Sequence, residues 1–191
     1  MNRTPPTSAQ PAPKLIILGI DPGLQRTGYG LISSEGQKAT LIEAGVISTT
    51  VTDELASRLH EIYSGLSGVI TEFTPDVIAV EDLYAHYNHP RTAIVMGHAR
   101  AMVFLLSAQC GAPIEIYAST KVKSSLTGNG RASKEQMQLM VASRLGLDRP
   151  PRPADAADAL AVALCYHSAI TANRPTIKRS RVRPPANAIV I

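Results

Sequence analysis

A chain of 191 residues with 45% hydrophobic side chains is enough for one domain with a sizeable core. No apolar segment approaches the roughly 20 residues that cross a bilayer, and residues 1–14 lack the apolar centre of a secretory signal. These features exclude an exported or membrane-embedded class and predict a soluble, cytoplasmic protein. The net charge of +4 conceals an asymmetry. Arg174, Lys178, Arg179, Arg181 and Arg183 form a tail with no acid, and in the remainder fourteen basic residues face fifteen acidic ones, a net −1. Inside that remainder the basic residues gather late, with Lys121, Lys123, Arg131, Lys134, Arg144, Arg149 and Arg152 against only Glu135 and Asp148. A local basic face suits a polyanionic partner, although a solvated surface has the same composition. Cys110 and Cys165 lie in apolar periodic segments without metal spacing, which predicts buried thiols in a reducing compartment.

Residues 1–14, with four prolines and few large apolar groups, cannot bury enough surface to offset the entropy of ordering, and are expected as a disordered extension. The run Leu15-Ile16-Ile17-Leu18-Gly19-Ile20-Asp21 then reads as a buried strand that ends in a lone carboxylate. Pro22-Gly23 reverses the chain, and Thr27–Ile32 returns as a second strand. A polar turn at Ser33–Gln37 leads to a third strand over Ala39–Ile47, completing an antiparallel meander. Over residues 53–73 the period changes: Leu55, Leu59, Ile62, Leu66, Ile70 and Phe73 recur three or four apart, with Thr52 as N-cap and Asp53 and Glu54 in the first turn. After Pro75, Val77–Glu81 is a strand that again ends in an acid. Strand, helix and strand in this order predict a crossover, so this strand lies parallel to the first and brings Asp21 and Glu81 to one edge.

A second helix is expected over residues 91–109 and a fifth strand at Pro113–Tyr117. A loop containing Gly128-Asn129-Gly130 precedes Ser133-Lys134-Glu135-Gln136, a capping-box pattern opening a helix that Gly146 closes. Pro153 stands at the start of a last helix, Ala154–Ala169, which is apolar nearly all round and therefore buried. The class is α/β, with a five-stranded mixed sheet of antiparallel meander plus parallel strands, flanked by helices.

In that last helix Asp155 and Asp158 are three apart and share one face near the N-terminus. Two readings fit them: anions placed at the helix dipole, or a pair held together by a cation. Asp21 has the same two readings, a hydrogen-bonded turn corner or a ligand. Taken together, Asp21, Glu81, Asp155 and Asp158 are oxygen-only ligands without Cys or His at zinc spacing, a set that selects Mg²⁺ or Mn²⁺. Two such ions roughly 4 Å apart support phosphodiester hydrolysis.

The motifs Gly19-Ile20-Asp21-Pro22-Gly23, Thr27-Gly28-Tyr29-Gly30, Val80-Glu81 with Tyr84, and Asp155-Ala156-Ala157-Asp158-Ala159-Leu160-Ala161 occur in this order. Their order and spacing resemble the RuvC family of Holliday-junction resolvases over about residues 15–170. The resemblance implies a ribonuclease-H-like fold, a homodimer, and Mg²⁺-dependent paired nicking of four-way junction DNA, two ions per site, in recombination and repair. It also implies RuvA and RuvB branch-migration proteins as partners. By that likeness Asp21, Glu81, Asp155 and Asp158 are the catalytic metal ligands, Tyr84 stacks on an exposed base, and Lys123 and Lys134 stand near the scissile phosphate. Lys121, Arg91 and Arg131 fit general phosphate contacts or solvated surface equally. His86 and His89 lack further ligands for zinc. Met96, Met102, Val103 and Leu106 fit either core or a dimer interface. Residues 171–191 lie outside the resemblance and are expected as a flexible basic tail.

Competing readings are a ribonuclease-H-like nuclease on another nucleic acid and a junction-binding scaffold without catalysis. An actin-like ATPase needs a second related domain, for which 191 residues without an internal repeat leave no room.

Overall fold

The computed structural model describes residues 13–82 and 90–172, the side chains of residues 90–92 excepted. The chain runs β1 (Leu15–Asp21), β2 (Arg26–Glu35), β3 (Lys38–Ser48), α1 (Leu55–Phe73), β4 (Val77–Glu81), α2 (Pro90–Cys110), β5 (Ile114–Tyr117), α3 (Ser119–Thr127), α4 (Lys134–Leu145) and α5 (Ala154–Ala172). The sheet order is β3-β2-β1-β4-β5. Neighbours β1, β2 and β3 pair antiparallel, whereas β4 pairs parallel with both β1 and β5. The mixed sheet expected from the sequence is therefore present, with the crossover through α1 placing β4 beside β1.

The pleat sorts each strand between two cores. Leu18, Ile20, Ile78 and Val80 face Ile62 and Leu66 of α1 and Val103 of α2. Ile17, Val77 and Ala79 face the opposite side, toward α3, α4 and α5. Because side chains alternate along a strand, Asp21 continues the row of Ile17 and Gly19, and Glu81 continues that of Val77 and Ala79. Both carboxylates thus lie on the face covered by α5. Ile20 pairs with Val80, so the two acids end adjacent strands at the same edge.

Helix α5 lies close on this face because both surfaces are small. A Cβ on Gly19 would strike the Ala159 carbonyl oxygen and come within 2.7 Å of the Ala163 nitrogen, and one on Gly30 would come within 2.6 Å of the Leu160 side chain. The strand glycines complement the alanines of the helix, and ten residues of α5 are buried. Ser34 Oγ and His167 Nδ1, 2.7 Å apart, tie the far end of α5 to β2.

Several expectations change. The chain makes a turn at Thr50–Asp53, closed by the Asp53 N–H to the Thr50 carbonyl, so Thr52 is not an N-cap. Glu54 takes that position without a side-chain bond, and the first turn of α1 carries no acid. β2 continues through Ser33 and Ser34 to a tight turn at Gly36, where φ is 58°. Helix α3 is absent from the sequence reading, and α5 extends to Ala172 rather than Ala169. Cys165 is buried as expected, but Cys110, at the end of α2, is exposed; both thiols are free. The capping box of α4 is formed by Ser133 and Gln136, and Gly146 closes the helix.

One correction concerns membranes. Ala93–Cys110 of α2 is long and apolar enough, by length and composition, to cross a bilayer. Its only charge is Arg100, so the segment does contain an apolar stretch of the length the sequence was expected to lack. Ala99, Val103 and Leu106 of this helix are buried against the sheet, while Ile94, Val95, Phe104 and Leu105 are exposed.

Candidate active site

Four acids from three elements meet at the open edge of the sheet. Asp21 ends β1, Glu81 ends β4, and Asp155 and Asp158 occupy the first turns of α5. A cleft of about 220 Å³ is lined by Asp21, Glu81, Asp158, Ser119, Lys123 and Lys134, among others. The fourth acid, Asp155, stands beside the cleft, bound to Arg26.

The electrostatics record how tightly the acids are gathered. Burial, then Glu81, Asp158 and Asp155, push the Asp21 carboxyl up to about 7, with Lys134 opposing. Glu81 is raised mainly by burial and further by Asp158, against a hydrogen bond from Ser119 and the charge of Lys123. Such an accumulation of negative charge favours a bound cation, and an all-oxygen donor set fits a hard divalent ion. As the side chains stand, no three Asp, Glu, His or Cys groups among the described residues are grouped to hold one ion. Two of the four acids instead face basic partners: Arg26 Nη2 lies 2.9 Å from Asp155 Oδ2, and Lys134 Nζ lies 3.0 Å from Asp158 Oδ2. The hydrogen bond to Asp158 also raises the Lys134 ammonium pKa.

Neighbouring contacts hold this edge in place. Arg100 of α2 donates to Asp82 Oδ1 at 2.7 Å, and the Asp82 N–H donates to the Tyr117 carbonyl at 2.8 Å, fixing the chain directly after Glu81. A Cβ on Gly28 would strike the Asp155 carbonyl oxygen, so β2 seats the start of α5.

Lys123 and Lys134 line the cleft, whereas Lys121 and Arg131 do not. Lys121 is exposed on α3, and Arg131 is exposed on the α3–α4 loop with its N–H donating to Asn129 Oδ1 at 2.9 Å. Tyr84, His86 and His89 lie outside the described residues, and the side chain of Arg91 does too. Sequence reasoning missed Arg26 and Ser119. Arg26 sits in the turn-to-strand stretch where its polarity looked incidental. For Ser119 the signal was present, since Val122 and Leu126 are four apart and Gly128 follows, a short helix starting at Ser119.

The model of the family described as crossover junction endodeoxyribonuclease RuvC matches residues 17–166. The chain belongs to the RuvC family. It is 51% identical over 168 residues to the crossover junction endodeoxyribonuclease RuvC of Rhodopirellula baltica, covering 88% of this chain and 93% of that protein. The corresponding protein of Syntrophomonas wolfei is 43% identical over 150 residues, 78% of this chain and 87% of the relative. Among solved structures, Thermus thermophilus RuvC in complex with a Holliday junction substrate superposes with a TM-score of 0.77 at 32% identity, covering 83% of this chain and 96% of that one. The architecture is thus the ribonuclease-H-like fold of RuvC, and the carboxylate cluster lies within the segment the family model matches.

Proposed function

We propose that this protein is a metal-dependent endonuclease that resolves four-way DNA junctions in recombination and repair, with Asp21, Glu81, Asp155 and Asp158 as its metal ligands. The observation that carries this reading is the convergence of the four acids at one sheet edge in a chain of the RuvC family. Bound there, Mg²⁺, as two ions per site with Mn²⁺ as a substitute, would activate water and stabilise the leaving oxygen. The protein's own groups do the rest. Four carboxylates repel a phosphate, so Lys123 and Lys134 at the cleft offset that charge and hold the scissile group. Ser119 orients Glu81 by its hydrogen bond. Tyr84 stacks on a base at the crossover, and Lys121, Arg131 and Arg91 contact flanking phosphates. An opening of about 950 Å³ lined by Arg149, Arg152 and Ala154 meets the start of α5 and suits the same backbone.

Paired nicking of two strands needs two sites, which a homodimer supplies. The exposed apolar residues Ile94, Val95, Phe104 and Leu105 give α2 a face suited to a second copy of the chain, and this placement also accounts for its membrane-like composition. RuvA and RuvB are the proposed branch-migration partners, in the cytoplasm. The basic tail adds non-specific phosphate contacts.

The test is cleavage of a synthetic four-way junction, its component duplexes and an RNA–DNA hybrid, with Mg²⁺ and with chelator. Paired nicks in the junction alone, dependent on Mg²⁺, are expected. Preferential cutting of the hybrid would assign the fold to another nucleic acid, and binding without cutting would leave a scaffold.

A further inference from the structure

The geometry points to Arg26 as a charge gate that holds Asp155 away from metal until a DNA phosphate draws the guanidinium off. This inference rests on reading the carboxylate cluster as a metal centre. Arg26 Nη2 and Asp155 Oδ2 are 2.9 Å apart. A divalent ion that ligates Asp155 must displace the guanidinium from that oxygen or share the carboxylate with it against the repulsion of the two positive charges. Arg26 and the metal therefore compete for Asp155.

The backbone around this pair is fixed, so exchange must occur through the side chain. Arg26 pairs with Ser48 at the start of β2. On its two sides the Thr49 N–H donates to the Gln25 carbonyl at 3.0 Å, and Thr27 Oγ1 donates to the Gly23 carbonyl at 2.7 Å. Asp155 is seated from below by Gly28, two residues along the same strand. The guanidinium itself is free to leave: its side chain is 47% exposed and that of Asp155 is 28% exposed, so water screens the pair. A phosphodiester offers the guanidinium two non-bridging oxygens for a bidentate contact, whereas here it meets a single carboxylate oxygen. Lys134 holds Asp158 from α4, on another element, so the two acids of α5 are each neutralised before substrate arrives. DNA binding at this edge then frees Asp155, and metal affinity and junction affinity rise together, as linkage requires.

The experiment titrates Mn²⁺ into the DNA-free full-length protein and separately measures chelator-treated binding to a four-way junction. The proteins are the parent, Arg26→Gln, Arg26→Lys, Asp21→Asn, Asp155→Asn and the Arg26→Gln/Asp155→Asn double variant. Melting in chelator verifies that each is folded. Arg26→Gln should bind Mn²⁺ roughly two- to fivefold tighter, the range expected for a partly exposed ion pair, while Arg26→Lys stays near the parent. The gain should vanish when Asp155 is already Asn, which a merely structural role of Arg26 would not produce. Arg26→Gln should also bind the metal-free junction more weakly, with a salt slope lower by about one. Mn²⁺ affinity unchanged by Arg26→Gln, but weakened by Asp21→Asn and Asp155→Asn, would overturn the gate and leave the metal centre standing. Mn²⁺ affinity unchanged by the two Asp variants would overturn the metal reading itself, and the gate with it.

Discussion

Replacing Gly28 by alanine tests how closely α5 must approach the sheet for the site to work. Gly28 pairs with Asp21 in the β1–β2 register, and its α-carbon faces the Asp155 backbone. A methyl group there would strike the Asp155 carbonyl oxygen and lie 2.6 Å from its carbonyl carbon, about 0.8 Å inside ordinary contact. Both sides of the clash are backbone, so neither can rotate away. Strand and helix must part by on the order of 1 Å, and overpacking of this kind costs about 1–3 kcal/mol. For a domain of this size that lowers Tm by roughly 2–12 °C. The larger consequence is chemical, because Asp155 and Asp158 ride on the displaced turn. A misplacement of about 1 Å in reacting geometry costs about 100-fold in rate. Single-turnover nicking of a four-way junction at saturating Mg²⁺ reads this directly, with junction binding as the control. Gly30→Ala meets the Leu160 side chain, and a backbone nitrogen only at 3.0 Å, so it should cost stability with much less effect on nicking. A folded Gly28→Ala variant that nicks at the parent rate would refute the claim that this contact places the carboxylates.

The Asp21 carboxyl, pushed from 3.8 to about 7, binds its proton more tightly in the folded chain than in the unfolded one. Its contribution to stability is therefore fully present below about pH 4 and is lost as pH rises through about 7, up to about 4 kcal/mol. Denaturant melts of the metal-free parent and Asp21→Asn should agree near pH 4 and diverge toward pH 8 with the variant more stable; parallel curves would contradict the buried acidic cluster. Leu105, 46% exposed on α2, should when changed to Glu yield monomers in sedimentation with little change in Tm, and a persistent dimer would move the interface elsewhere. Truncation after Ala172 removes five basic residues and should lower the salt slope of DNA binding by up to about 4.5; loss of all cleavage at low salt would instead make the tail part of the site.

The topology was legible because the period of the apolar residues changes cleanly from two to three or four and back, and because strand, helix and strand admit one handed crossover. That order alone places Asp21 beside Glu81. The last helix was legible from composition, but its partner surface was not: Gly19, Gly28 and Gly30 read as strand positions without side chains in one dimension and prove to be the floor on which α5 lies. Helix α3 was legible only faintly: its nine residues carry one apolar pair at helical spacing, Val122 and Leu126, before Gly128. Arg26 was hidden for a different reason. Its partner Asp155 is far along the chain, and no spacing rule connects residues brought together only by sheet and helix packing. Exposure followed the same limit, since Met102 and Val103 pack inward while Phe104 and Leu105 of the same run face out.

Glu81→Gln gives the most direct test of the central claim, that the clustered acids exist to hold the metal that cuts DNA. The substitution keeps shape and removes one ligand charge from a side chain lining the cleft. Nicking of a synthetic four-way junction in Mg²⁺ should fall by at least about 100-fold, while the folded variant binds the junction in chelator as tightly as the parent or more so, one repulsive charge having gone. A folded Glu81→Gln variant that nicks the junction at the parent rate would contradict the account.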